Sequence, residues 1–193
     1  MKQAYILKFA TIALLSLASV GVVGGGFFFT QALNNKKETI TVINTSNYQD
    51  IRHNTWSKKI QINHFPAIIP SEAKDARVIF YTGSPEYGRI FQLRIKLPEQ
   101  EIKKALNKYR NIAKYKFQGG DTNDHSNQKN GVPTTFLYTS DLQAESFPSS
   151  YEILVLNANN RGTSDDFSWN HGDSYGVAIN SVTSEIVYWA EEW

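Results

Sequence analysis

The residues with the clearest chemical potential lie in one polar stretch, Asn159 to Asp173. Asp165, Asp166, His171 and Asp173 fall within nine residues of each other. Their carboxylate and imidazole groups are ligand types for a divalent cation and acid–base groups for hydrolysis. Ligand type without a metal-site spacing is poor evidence for a metal, and the chain contains no H-E-x-x-H motif. Turn-forming aspartate and asparagine account for the same composition, so the stretch predicts no metal and no cofactor.

Trp169 lies in the same stretch, away from any predicted strand or helix. A tryptophan in a polar loop is typical of a contact site for protein or sugar. The sequence therefore indicates Trp169, His171, Asp165, Asp166 and Asp173 as candidate ligand contacts, and it assigns no catalytic residue. The alternative is an envelope hydrolase that uses carboxylates and a histidine of the 159–173 loop, and it requires His171 to meet an aspartate in a cleft.

Other catalytic signatures are absent from the sequence. The chain has 193 residues and no cysteine, which excludes disulfides, thiolate metal sites and cysteine nucleophiles. It contains no G-x-S-x-G elbow, no P-loop and no usable dinucleotide-binding glycine motif. These absences favour a binding module over an enzyme.

A long apolar run near the N-terminus determines where the domain resides. Phe9 to Phe29 contains 21 residues without charge or proline, enough for a helix to span a bilayer. Lys2 and Lys8 precede it, so the N-terminus is predicted in the cytoplasm and the C-terminal domain outside. The alternative is a secreted protein, because the range 16–32 offers small-residue patterns for signal-peptide cleavage. Early cleavage would leave a glycine- and phenylalanine-rich start, so we expect a retained anchor.

The chain divides into an anchor with a short linker, 1–37, and an extracytoplasmic domain, 38–193. Gly21 and Gly25 form a G-x-x-x-G pair that would let two such helices approach closely as a homodimer. The domain is asymmetric in charge: residues 52–116 balance to +9 and residues 117–193 to −9. The two parts can neutralise each other within one domain, or the basic part can face anionic lipid.

Hydrophobic periodicity predicts an α+β domain. Alternating patterns predict a mostly antiparallel sheet of about five to six strands, with a C-terminal hairpin that turns at Ser181 to Ser184. One long helix, from Pro98 to about Tyr115, is predicted to pack on one face with Ile112 in its inward stripe. The expected partner is an envelope protein, a peptide or a polysaccharide, and no nucleic acid, because the domain is exported.

Overall fold

A seven-stranded antiparallel sheet organises the part of the chain that the structure describes. The computed structural model describes residues 40–42, 44–82, 88–120, 132–134, 147–161 and 171–193, all within the compact unit Glu38–Trp193. The strands are β1 (Ile40–Val42), β2 (Lys74–Thr82), β3 (Arg89–Lys96), β4 (Tyr115–Gln118), β5 (Glu152–Asn160), β6 (Gly172–Asn180) and β7 (Glu185–Glu192). In space they follow the order β1-β2-β3-β7-β6-β5-β4.

Every neighbouring pair of strands in this sheet is antiparallel. Six strands have four residues or more, and the three-residue β1 extends one edge. The predicted α+β fold with a mostly antiparallel sheet is confirmed, and β1 is one strand more than the expected five to six.

The predicted membrane span, Phe9 to Phe29, lies outside the described residues, and so does the pair Gly21 and Gly25. Within the described ranges, no helix is long and apolar enough to cross a bilayer. The anchor and the dimer contact therefore stay predictions.

One helix, α1 (Glu99–Ile112), carries the chain from β3 to β4. Each strand from β3 through β7, β6 and β5 to β4 is antiparallel to its neighbour, so β3 and β4 point the same way. The connection must therefore cross the three strands between them. Pro98 precedes the first turn, and Glu99 and Glu101 lie in that turn, where negative charge suits the helix dipole.

The helix is shorter than the sequence predicts. Instead of running to about Tyr115 with Ile112 turned inward, α1 ends at Ile112, whose side chain is 54% exposed. The backbone becomes extended at the next residue, and the Lys114 amide donates to the Val155 carbonyl at 2.9 Å. The chain leaves the helix because it pairs with β5, an interaction that local periodicity does not reveal.

The sheet face beneath α1, here called the helix face, holds the larger apolar core. α1 contributes the buried Ile102 and Tyr109. From the segment between β1 and β2, Phe65 stacks on Phe91 of β3 with ring centroids 4.7 Å apart, and Trp56 is fully buried. Burying a side chain such as phenylalanine contributes about 1.5–3 kcal/mol. The segment between β1 and β2 is therefore part of the core.

A second apolar cluster covers the opposite face. Phe147 and Tyr151 pack there against β5, β6 and β7. The indole of Trp189 on β7 donates through Nε1 to Ser174 Oγ at 3.1 Å. Its ring needs the space beside Gly176, where an added Cβ would lie 2.6 Å from the indole Cη2. Gly176 thus permits the Trp189 indole to cross a neighbouring strand.

Ion pairs connect the basic and acidic parts of the domain. Each of four pairs joins a cation from residues 52–116 to a carboxylate from residues 117–193. The pairs are Lys58–Glu192, Arg89–Glu192, Arg94–Glu185 and Arg110–Glu152. Part of the charge asymmetry in the sequence is therefore neutralised inside one domain.

The turn between β6 and β7 sets the pairing register of this hairpin. Asn180 Oδ1 accepts hydrogen bonds from two turn amides, including that of Val182 at 3.0 Å. From this turn the pairing continues without a shift to the far end, where Asp173 lies opposite Glu192. The turn predicted at Ser181 to Ser184 is confirmed, and it positions the charged residues at the other end of the hairpin.

Candidate functional site at the strand ends

The structure describes two of the five candidate ligand contacts. Asp165, Asp166 and Trp169 lie outside the described residues. His171 is exposed, whereas Asp173 is only 5% exposed. The two described candidates therefore have opposite environments although they are two positions apart.

Hydrogen-bonded strand ends form the base of the loop between β5 and β6. The Arg161 amide donates to the His171 carbonyl at 2.6 Å. Gly172 and Trp193 exchange two backbone hydrogen bonds, of 3.0 and 3.1 Å, which continue the β6–β7 ladder to the last residue. A Cβ on Gly172 would lie 2.0 Å from the Asn159 carbonyl oxygen, so the close approach of β5 requires glycine. The loop that carries the candidate contacts therefore leaves an ordered scaffold.

Asp173 uses both carboxylate oxygens within this scaffold. Oδ1 accepts from the Asn159 side-chain amide at 3.0 Å, and Oδ2 binds the Arg161 guanidinium. Asp173 also lies directly opposite Glu192 on β7. Like charges in this position repel each other, so the two carboxylates require nearby cations.

Two cations supply that compensation at Glu192. Lys58 Nζ lies 2.7 Å from Oε1, and Arg89 Nη2 lies 2.6 Å from Oε2. The Arg89 guanidinium is also 5.3 Å from the centre of the Trp56 ring, a cation–π distance. Burial raises the pKa of Glu192, but the hydrogen bonds and charges of Lys58 and Arg89 outweigh burial and hold it below its usual value.

These five side chains, Lys58, Arg89, Arg161, Asp173 and Glu192, are called the strand-end cluster. A general acid needs a carboxyl whose pKa is raised, whereas the pKa of Glu192 is lowered and both carboxylate oxygens of Asp173 are already bound. Among the described residues, no group of three or more histidines, aspartates and glutamates is placed to hold a metal ion. The arrangement is suited to holding a loop and presenting charge, and it gives no support to acid–base catalysis.

His64 is a further titratable side chain, which the sequence did not single out. It lies on the helix face, where Nε2 donates to the Gly176 carbonyl at 2.9 Å and the Tyr109 hydroxyl donates to the His64 carbonyl at 3.0 Å. Its ring packs against Phe65, with centroids 4.7 Å apart. Burial lowers the pKa of His64 to about 3, with the Gly176 hydrogen bond opposing that effect. His64 is therefore neutral at ordinary pH and packs, half-buried, against the core of the helix face.

Sequence reasoning found Asp173 but missed the other four members of the cluster, Lys58, Arg89, Arg161 and Glu192. One signal was present: counting outward from the predicted turn at Ser181 to Ser184 brings Asp173 opposite Glu192. No such signal existed for Lys58, because it lies in a segment without clear periodicity. Its contact with β7 depends on tertiary packing.

Comparisons with protein-family models, with curated proteins and with solved structures find no match for this chain. The functional conclusions below therefore depend on the chain's own residues and their geometry.

Proposed function

We propose that this chain is a single-pass membrane protein of the cell envelope whose domain, residues 38–193, is a binding module outside the cytoplasm. The N-terminus lies in the cytoplasm, and Phe9 to Phe29 forms the span. The loop that contains Trp169 makes the ligand contact, together with Asp165, Asp166 and His171, and the buried Asp173 holds the base of that loop. The ligand is an envelope protein, a peptide or a polysaccharide.

The observation that carries this proposal is the construction of the loop base. Arg161 and His171 are joined through the backbone, and the buried Asp173 binds Arg161 with one oxygen and Asn159 with the other. A recognition loop held on fixed strand ends loses less conformational entropy when it binds. A carboxylate that is already bound through both oxygens is also a poor general base, so binding is favoured over hydrolysis.

The anchor is tested by fractionating cells that express the chain with a C-terminal tag and by measuring the intact mass of the product. Full-length mass in the membrane fraction supports the anchor. A soluble product that is shorter by roughly 20 to 30 residues identifies a cleaved signal peptide and a secreted protein.

The contact site is tested by photo-crosslinking in intact cells. A photoreactive amino acid replaces Trp169 in the full chain, and the control carries it at Val182, which is 86% exposed at the opposite end of the β6–β7 hairpin. We expect a discrete adduct at position 169 and none at position 182. Equal labelling at both positions, or none at either, contradicts the proposed contact.

The hydrolase alternative makes a different prediction for the same residues. The purified full chain would release reducing ends from envelope polysaccharide, and Asp165→Asn, Asp166→Asn or His171→Gln would abolish the release. A binding module releases no reducing ends. The yield of its photo-crosslinked adduct at position 169 also stays the same however long the chain is incubated with the polysaccharide.

The proposal includes a homodimer contact through Gly21 and Gly25. Gly21→Ile would separate the two helices, whereas Gly24→Ile lies off the G-x-x-x-G pair and serves as the control. Chemical crosslinking of the full chain in detergent should lose the dimer in the first variant only. Equal dimer in both variants rules this contact out.

A further inference from the structure

An exposed apolar pair marks the place where α1 ends and β4 begins. Ile112 is 54% exposed and Tyr115 is 42% exposed. They are three residues apart, so their Cα atoms are within about 11 Å of each other. Single exposed apolar residues are ordinary on protein surfaces, but these two flank the edge strand β4, with Ile112 on its α1 side and Tyr115 on its other side.

Cations surround this pair. The span from residue 103 to residue 116 carries no acidic side chain and six basic ones, which are Lys103, Lys104, Lys108, Arg110, Lys114 and Lys116. Three of the six are neutralised, by Glu99, Glu101 and Glu152.

The other three cations remain without an ion pair in the part of the chain that the structure describes. Lys114 donates to the neutral amide oxygen of Asn157, and Lys108 lies 4.9 Å from the centre of the Tyr109 ring. Lys116 is exposed on β4. The uncompensated charge is therefore concentrated around the exposed apolar pair, and not spread along the whole of α1.

The backbone positions of these residues place them around one corner of the domain. Lys108 and Ile112 are four residues apart on α1 and share one helix surface. Lys116 lies opposite Leu154, which packs in the core beneath α1, so Lys116 is on the α1 side of β4. Tyr115 alternates to the other side of the same strand. The set Lys108, Ile112, Lys114, Tyr115 and Lys116 is called the basic corner.

We propose that the basic corner docks on a membrane surface that contains anionic lipid. Tyrosine favours the interfacial region of a bilayer, and lysine can bury its methylene chain while its ammonium stays with the headgroups. The excess of positive charge selects an anionic surface, because a neutral surface offers no compensation for these cations. Lipid, rather than protein, is the favoured occupant because the predicted anchor keeps a bilayer within reach.

This inference rests on the proposed function in one respect. Between Phe29, where the predicted span ends, and Ile40, where β1 begins, an extended chain reaches at most about 40 Å. The linker joins β1, at the sheet edge opposite β4, and its reach exceeds the width of about 29 Å across six strand spacings, so a span in this position would allow the basic corner to contact the headgroups.

The absence of cysteine from the chain allows a site-specific test. An environment-sensitive fluorophore is attached to Ile112→Cys in the full chain, and Val182→Cys provides an exposed control at a distant turn. Each protein is reconstituted into vesicles of phosphatidylcholine alone or of phosphatidylcholine mixed with phosphatidylglycerol. We expect a blue shift and a several-fold rise in emission at position 112 only with phosphatidylglycerol, and no change at position 182.

Replacement of the three cations by Lys108→Gln, Lys114→Gln and Lys116→Gln should abolish the shift at position 112, and so should high salt. An equal shift in both vesicle types shows charge-independent insertion and overturns the proposal. A shift that depends on protein concentration in neutral vesicles overturns it in favour of a contact between copies of the chain.

Flotation of the vesicles separates failure of the corner from failure of the anchor. A chain that floats with both vesicle types and shows no shift at position 112 is anchored, but its basic corner does not dock. A chain that floats with neither type contradicts both the anchor and the docking. A chain that floats only with phosphatidylglycerol, and loses flotation in the triple glutamine variant, docks without an anchor.

Discussion

The strand-end cluster and the basic corner contain similar charged side chains in opposite arrangements. In the strand-end cluster, cations from distant parts of the chain meet two carboxylates on neighbouring strands, and Asp173 is 5% exposed. In the basic corner, Lys108, Lys114 and Lys116 form no ion pair within the described ranges and lie beside exposed Ile112. The first arrangement satisfies its charges internally, whereas the second leaves them for a partner.

This difference separates charge that maintains structure from charge that is available for recognition. Paired, partly buried charges cannot be removed singly without leaving a partner uncompensated. Exposed cations without an ion pair contribute little to stability and much to attraction of an anionic surface. The two regions should therefore respond differently to substitution, to pH and to salt. Stability is measured as the free energy of unfolding of the full chain in urea and a non-denaturing detergent, followed by tryptophan fluorescence.

The largest effect is expected at the scaffold of the strand-end cluster. In Gly172→Ala, the new Cβ would lie 2.0 Å from the Asn159 carbonyl oxygen, and only backbone movement can relieve the contact. We expect a loss of more than about 3 kcal/mol in the free energy of unfolding, the upper range for overpacking. The control is Gly120→Ala, whose Cβ would meet nothing closer than 3.4 Å, and only its positive φ of 94° costs about 1–2 kcal/mol. Equal losses in both variants would show that β5 and β6 do not approach closely at Gly172.

The next largest effect is a dependence of the free energy of unfolding on pH. It arises from His64 on the helix face and is separate from the strand-end cluster. Burial lowers the pKa of His64 from 6.5 to about 3, so the unfolded chain binds a proton that the folded chain excludes. The contribution of neutral His64 to the free energy of unfolding is fully present above pH 6.5. It falls progressively as the pH decreases toward 3. Linkage gives a loss of about 2 kcal/mol between pH 7 and pH 5.

His64→Gln provides the check, because its amide can donate to the Gly176 carbonyl and does not titrate. The variant should lose the slope between pH 7 and pH 5. The lowered pKa of Glu192 acts in a lower window, since its stabilisation is present above pH 4.5 and is lost as the pH falls below that value. An unchanged slope in His64→Gln would contradict the neutral state of the half-buried histidine.

The fold was predictable wherever local pattern and tertiary contact agree. Strand alternation and the turn at Ser181 to Ser184 predicted the β6–β7 hairpin correctly, and Pro98 marked the start of α1. The end of α1 was not predictable, because Ile112 continues the apolar periodicity while Lys114 already pairs with β5. Ile112 is exposed because of that non-local pairing. The basic corner, which includes Ile112, was therefore not predictable either.

The candidate site was predictable only in part. Asp173 was identified because it belongs to a cluster of carboxylates and a histidine within one polar loop. Glu192 was not identified, since a charged residue at the end of an apolar strand is normally interpreted as solvent-exposed. Arg89 and Lys58 reach Glu192 from sequence positions more than one hundred residues away. The sheet order β3-β7 creates the Arg89 contact, whereas the Lys58 contact depends on the packing of the segment between β1 and β2.

A smaller effect is expected from removing one cation of the strand-end cluster. Arg89→Met retains much of the side-chain volume but removes two hydrogen bonds to Glu192 and the cation–π contact with Trp56. We expect a loss of about 1–2 kcal/mol, because the partly buried carboxylate keeps only Lys58. Lys116→Met, the matched change at the basic corner, should alter the free energy of unfolding by less than about 0.5 kcal/mol. Similar losses in the two variants would remove the distinction between the two regions.

The smallest effect concerns the sign of the salt dependence. In the triple variant with Lys108→Gln, Lys114→Gln and Lys116→Gln, the unfolding free energy should stay within about 0.5 kcal/mol of the parent chain. At low salt, the free energy of unfolding of the triple variant should be slightly higher than that of the parent chain, because the substitutions relieve repulsion among neighbouring cations. Added salt screens that repulsion in the parent chain, so the difference between the two proteins should shrink as ionic strength rises. Arg89→Met should show the reverse, a deficit that narrows with salt because screening weakens the attraction that only the parent chain retains. If the triple variant instead lost stability at low salt, the three lysines would form stabilising ion pairs within the fold, and the basic corner would belong to the same class as the strand-end cluster.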